Sequence, residues 1–249
     1  MVALTSFAKP MNAVVIGASG GIGKAITEVL TDHERVGQVL ACSRSTPAKD
    51  QRQCSHQVID LEDEASIAFA AEHARDLVGD LDLILIATGI LHDGETQQPE
   101  KTWRSLEPEQ LALNFRINAI GPALVAKHFL PLLAKNRKST LAALSARVGS
   151  ITDNGLGGWY SYRASKAALN MLIRNFAIEL KRRNAGALCV GLHPGTVATD
   201  LSEPFRVNVP EGKLFSPDVA ATRLLTVIDD LGPEDSGKLF AWDGQPIPF

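Results

Sequence analysis

The chain has two tyrosines, and both fall in Trp159-Tyr160-Ser161-Tyr162-Arg163-Ala164-Ser165-Lys166. On a helix, Tyr162 and Lys166 stand four apart on one face, while Tyr160, six from Lys166, stands off it. A phenol titrates near pH 10, too high to exchange protons readily at neutral pH, and a neighbouring ammonium favours its ionised form. Lowering that pKa by about three units takes about 4 kcal/mol, within reach of a close, partly desolvated cation. The spacing predicts acid–base chemistry at Tyr162, with Lys166 pulling its pKa down.

A second cluster points to a phosphate ligand. Gly17-Ala18-Ser19-Gly20-Gly21-Ile22-Gly23 follows an apolar run and opens a helical stretch. Glycines permit a sharp turn and a close approach of backbone to a pyrophosphate, and the helix start offers free N–H groups and partial positive charge. The spacing is GxxxGxG rather than GxGxxG. About 20 residues on, where an acidic side chain would bond the ribose hydroxyls of NAD, the chain reads Cys42-Ser43-Arg44. Ser43 and Arg44 suit a 2′-phosphate held by charge-assisted bonds. NADP(H) is the favoured cofactor, with NAD(H) as the alternative, because an arginine is equally at home on a solvated surface.

Such groups need a frame. Short apolar runs at 13–17, 39–42, 57–59, 83–87, 141–144 and 187–192 read as strands, and a last one lies near 239–242. Their apolarity is continuous rather than alternating, which suits strands covered on both faces of a parallel sheet. Helical stretches at 21–31, 63–77, 108–134, 159–183 and 217–231 separate them. The alternation predicts an α/β fold, a single Rossmann-like domain over residues 1–249, with a doubly wound parallel sheet and helices on both faces. Two long unpatterned segments, 88–104 and 200–215, leave the carboxyl ends of strands, so substrate contacts are expected there. The second mixes Phe205 with Arg206 and Lys213 and admits an apolar or an anionic compound.

Composition narrows the functional classes. The 249 residues include 25 Lys and Arg against 28 Asp and Glu, a net charge of −3, so no nucleic-acid partner is expected. No apolar run approaches the roughly 18 residues that span a bilayer, and no membrane partner is expected. Three cysteines (Cys42, Cys54, Cys189) form no CxxC and six histidines show no ligand spacing, so no metal site is expected. The start lacks the pattern of a secretory signal, and with this cysteine use a cytoplasmic location is expected.

With these motifs in order, the chain resembles the short-chain dehydrogenase/reductase family, in its short single-domain branch. The resemblance covers essentially the whole chain and rests on Gly17xxxGly21xGly23, Ala87-Thr88-Gly89, Asn118 in a long helix, Tyr162xxxLys166 and Pro194-Gly195. The stretches LSARVGSI and GGWYSYRASKAALN are most like the C-factor-like and carbonyl-reductase-like members. The resemblance implies an oxidoreductase that interconverts a small-molecule carbonyl and an alcohol. Tyr162 would be the proton donor or acceptor, Lys166 would bind the nicotinamide ribose, and Asn118 would sustain a water-linked proton path behind the lysine. Gly17, Ser19, Gly20, Gly21, Ile22 and Gly23 would hold the pyrophosphate. Asp60 and Leu61 would meet the adenine ring, although Asp60 would serve equally as a helix cap. Ala87, Thr88 and Gly89 would pass beneath the adenosine ribose, and Pro194, Gly195, Thr196, Val197 and Thr199 would reach the nicotinamide end. By analogy the chain would pair as a homodimer or homotetramer through 108–134 and 159–183.

One departure stands out. The family usually reads Ser-Ser-x-x-Gly after the fifth strand, where the second serine binds substrate, and here Ala146 occupies that place. Ser145 is the first choice for the role, Ser150 the second, and the third option is that no serine fills it. The gap and the C-factor likeness support a different-class alternative, a dinucleotide-binding signalling or regulatory protein with vestigial reductase activity. His193, ahead of Pro194, is more readily structural than catalytic, and Trp103 and Trp159 line the substrate mouth or pack in the core.

Overall fold

In β1 (Met11–Ile16), successive side chains leave opposite faces, so Ala13 and Val15 join one apolar layer while Val14 and Ile16 join the other. β4 (Leu83–Ile86) and β5 (Ser139–Leu144) are buried along their whole lengths. Burial on both faces is why these strands read as unbroken apolar runs. This computed structural model describes residues 2–45, 53–93, 97–210 and 212–249.

The main sheet runs β3 (Cys54–Val58), β2 (Val36–Ser43), β1, β4, β5, β6 (Ala187–His193), β9 (Leu239–Ala241) and β10 (Pro246–Ile247). Every pairing is parallel except that of β10 with β9. α1 (Gly21–Thr31) and α6 (Pro217–Asp230) cover one face with Ile26, Leu30, Leu224 and Ile228. α2 (Glu64–Val78), α4 (Gly121–Phe129) and α5 (Tyr160–Arg183) cover the other with Ile67, Phe129, Leu169 and Ile173. This is the doubly wound arrangement expected from the alternation. The strand order reverses between β1 and β4, and the loops leaving their carboxyl ends diverge into a crevice.

Several local expectations need correction. The stretch 108–134 is not one helix: α3 (Pro108–Phe115) passes through a π-turn at Arg116–Ile120 into α4, and a 3₁₀ turn at Leu130–Leu132 follows. Pro122 has no N–H to close the ordinary bond to Asn118, and the ladder widens by one residue just before it, with the Gly121 N–H reaching the Arg116 carbonyl. The stretch 159–183 loses its first residue, since Trp159 sits at the cap position with φ +51°. Two-residue strands β7 (Thr196–Val197) and β8 (Leu214–Phe215) form a separate parallel pair, too short to leave a period in the sequence. Between them Asp200–Asn208 forms a 3₁₀ helix. Within the loop 88–104, residues 94–96 lie outside the described residues. No described helix is long and apolar enough to cross a membrane.

Candidate active site

A cleft of about 790 Å³ opens at the carboxyl ends of the strands. Gly17, Ser19 and Gly20 line it together with Ser43, Arg44, Asp60, Leu61, Ala87, Thr88 and Gly89. The structure thus brings half of the expected cofactor residues to the lining of one cleft. The glycines are there for steric reasons. Gly17 has φ +90°, a Cβ on it would lie 2.9 Å from Thr88 Cγ2, and one on Gly23 would collide with the Gly17 carbonyl oxygen. Gly20 caps α1 without a side-chain bond, so the first-turn N–H groups stay open to a ligand. Thr88 Oγ1 is buried in the same wall without a partner among the described residues. An open helix start, an arginine at the end of β2 and an orphaned hydroxyl together fit a phosphorylated dinucleotide.

The remaining expected contacts divide. Thr199 lies against the glycine turn, where a Cβ on Gly21 would meet its methyl. Gly195, at φ +77°, leaves room instead for Phe215 and Trp242, and Pro194, Thr196 and Val197 are not among the residues that line the cleft. The Ile22 side chain turns into the core layer. Asp60 accepts from the Glu62 N–H at 2.9 Å, a local turn, while still lining the cleft.

Tyr162 and Lys166 are 8% and 2% exposed, with Lys166 Nζ 5.8 Å from the centre of the phenol ring. The ammonium donates to the Leu144 carbonyl at 2.9 Å. Asn118, in the π-turn, clamps the loop after β4: its Oδ1 accepts from the Ile90 N–H at 2.8 Å and its Nδ2 donates to the Ile90 carbonyl at 2.9 Å. It also donates to Ser165 Oγ at 3.1 Å, one residue before Lys166. A Cβ on Gly89 would lie 3.3 Å from both Asn118 Oδ1 and Lys166 Nζ, so the two converge beneath that glycine.

Burial opposes charge on both partners. It holds the Tyr162 phenol above its ordinary value and brings the Lys166 ammonium down to about 8. For Tyr162 this reverses the direction expected from spacing. Four-residue spacing puts a cation near the phenol, but the fold also strips water from both groups and turns the ammonium toward the Leu144 carbonyl.

The serine question also changes. Ser145 Oγ donates its one proton to Asn170 Oδ1 at 2.7 Å, and Ser150 Oγ accepts from the Asp153 N–H at 3.0 Å. The residue packed with Tyr162 is Ala146, in an apolar cluster with Leu91, Val148, Trp159, Leu201 and Phe205. Consecutive residues point different ways, so Ser145 turns to Asn170 farther along α5 while Ala146 packs with Tyr162. Trp159 lies 4.9 Å from Phe205 and 6.3 Å from Tyr162 between ring centres, so it walls the phenol. Trp103 is exposed, stacked under Arg104. His193 is kept neutral by burial, with Arg147 adding to the effect, its pKa down to about 4.

Sequence reasoning missed His92, Ser165 and Leu144. His92 Nε2 reaches the carbonyls of Asp200 and Leu201 at 3.2 and 3.1 Å and ties the 3₁₀ segment to the loop after β4. Only its place three residues after Gly89 could have drawn attention to it. Among the described residues, no three His, Cys, Asp or Glu side chains gather as metal ligands.

The chain matches the short chain dehydrogenase family over residues 11–209. It is 33% identical to 1-hydroxy-2-glutathionyl-2-methyl-3-butene dehydrogenase of Rhodococcus sp. (strain AD45), covering 93% of this chain and 96% of that one. It is 40% identical to C-signal of Myxococcus xanthus over 56% of this chain and 78% of that one. Among solved structures, the NADPH-bound carbonyl reductase from chicken fatty liver aligns with a TM-score of 0.83 at 26% identity, covering 98% and 97% of the two chains.

Proposed function

Since the chain belongs to the short-chain dehydrogenase family, and is therefore an NAD(P)-dependent oxidoreductase, we propose that it interconverts a carbonyl and an alcohol with preference for NADP(H). The observation that carries this reading is the burial of Tyr162 and Lys166 together, with Lys166 and Asn118 converging beneath Gly89 at the cleft wall. The bound nicotinamide would supply the hydride. The open first turn of α1 would take the pyrophosphate, and Arg44 with Ser43 the 2′-phosphate. Tyr162 keeps its proton at neutral pH because burial disfavours its phenolate, which suits it to donate from Oη to a carbonyl oxygen as that oxygen gains charge. Lys166, buried beside it, would hold the ribose, and Asn118 braces the loop that covers both. The apolar cluster above the phenol keeps water from competing for the proton. A placed acid of this kind contributes about 10²–10⁴ in rate.

Tyr162→Phe removes one oxygen and keeps the ring. Its kcat for carbonyl reduction should fall at least a hundredfold while the Kd for NADPH stays within about threefold. Tyr160→Phe, off the Lys166 face, should keep most activity. A Tyr162→Phe protein that turns over at the wild-type rate would refute the mechanism.

A dinucleotide-binding signalling role is the second reading, supported by the likeness to C-signal and by Ala146 beside the phenol. A wild type that binds NADPH and reduces nothing on a broad carbonyl panel would favour it. Pairing as a homodimer or homotetramer is supported by the exposed Ile120 of the π-turn and by Met171 and Ile178 on α5. A reducing, cytoplasmic setting is supported by the buried thiols of Cys42 and Cys189.

A further inference from the structure

We propose that Glu100 is a positioning residue for Tyr162, capping the helix that carries it from a distant part of the chain. α5 has no cap of its own: Trp159 at the cap position makes no side-chain bond and has left-handed backbone angles. The first N–H groups of a helix have no intrahelical partner, and leaving them buried and unpaired is costly. Glu100 supplies what the local sequence lacks. It lies 61 residues before Ser161 and is 3% exposed.

Each acceptor of Glu100 is used on the residues just before Tyr162. Oε2 accepts from the Ser161 N–H at 3.2 Å, and Oε1 accepts from the Ser161 hydroxyl. Its backbone carbonyl accepts from the Trp159 N–H at 2.6 Å. A negative charge at a helix start is also favoured by the helix dipole. The support behind it is firm. Gln97 and Pro99 are buried, and the Gln98 carbonyl accepts from Gln110 Nε2 of α3 at 2.7 Å. The loop after β4 therefore buries Gln97, Pro99 and Glu100 and grips the first turn of α5.

The grip falls where orientation matters for chemistry. Tyr162 is the next residue after Ser161, and its phenol stands at the far end of a long side chain, so a small rotation of the first turn moves Oη more than it moves the backbone. Trp159, held by the same glutamate, is the ring that walls the phenol. Reactive geometry tolerates little such displacement. The inference rests on the proposed oxidoreductase chemistry only for its kinetic readout.

Two tyrosines in the chain make a direct test practical. Full-length protein labelled with ring-¹³C tyrosine gives two sets of signals, assigned with Tyr160→Phe. Glu100→Ala should shift or broaden the Tyr162 set, lower kcat at least tenfold, and leave the Kd for NADPH within twofold. Glu100→Gln retains an acceptor for the Ser161 N–H and should recover most of the rate and the native signal. Ser161→Ala added to Glu100→Ala should cause little further loss, because both act through one link. If Glu100→Ala does not fold, Ser161→Ala alone carries the test, with a smaller change in the same direction. An unchanged Tyr162 signal, or a fall in melting temperature with kcat unaltered, would overturn the proposal. If the wild type reduces no carbonyl, the oxidoreductase reading fails, while the Tyr162 signals still decide the role of Glu100.

Discussion

Replacing Lys166 by methionine should change how stability depends on pH, by an amount set by the depth of its burial. In the fold Lys166 is 2% exposed and its pKa is lowered from 10.5 to about 8 by loss of water. That difference is worth about 3 kcal/mol against the charged form, a cost borne in full at pH 7 where both folded and unfolded chains hold the proton. Between pH 8 and 10.5 the unfolded lysine keeps its proton and the folded one releases it. The unfolded state then binds more protons, so stability rises with pH through this window. Methionine does not titrate. Wild-type stability minus that of Lys166→Met should therefore rise by about 2 to 3 kcal/mol from pH 7 to pH 10. The Leu144 carbonyl loses its donor in the variant, but that penalty is constant and drops out of the slope. The shared titrations of the other residues cancel as well. Urea unfolding of both proteins at pH 7, 8, 9 and 10, followed by circular dichroism, measures the difference. A gap that stays flat, or that narrows as pH rises, would refute the reasoning, since it would mean that a partner stabilises the charged lysine. The same variant should lose carbonyl reduction, so the lysine is held at a cost to the fold.

Two further outcomes test the cofactor and serine assignments. Arg44→Ala should weaken NADPH binding at least tenfold and leave NADH nearly unaffected, as expected for loss of a charge-assisted bond to a 2′-phosphate; equal losses for both cofactors, by fluorescence titration, would remove Arg44 from that role. Ser145→Ala should lower kcat by less than about tenfold and cost about 1 kcal/mol of stability, because the hydroxyl proton is already given to Asn170; a kcat loss of about 10²–10³ would show that the hydroxyl donates to substrate instead.

Much of the molecule was legible in the order of its residues. Strands covered on both faces must be apolar throughout, so β4 and β5 announced a parallel sheet. The glycine turn and the end of β2 meet because their order along one sheet edge requires it. Spacing of four on a helix put Tyr162 and Lys166 on one side. What spacing could not convey is how much water each group loses, because exposure depends on segments far away in the chain. Leu201 and Phe205 cover the phenol and the fold buries Lys166 beside it, and this loss of water sets the direction of both pKa values. The surroundings of Ser145 likewise depend on the tertiary structure, which turns its hydroxyl to Asn170 and leaves Ala146 in the apolar cluster with Tyr162. Glu100 is the clearest case: a glutamate in an unpatterned loop carries no local signal of its role. Only the tertiary path through 97–100 places its carboxylate on a helix start that has no cap of its own, and buried N–H groups must be paired wherever in the chain the acceptor comes from.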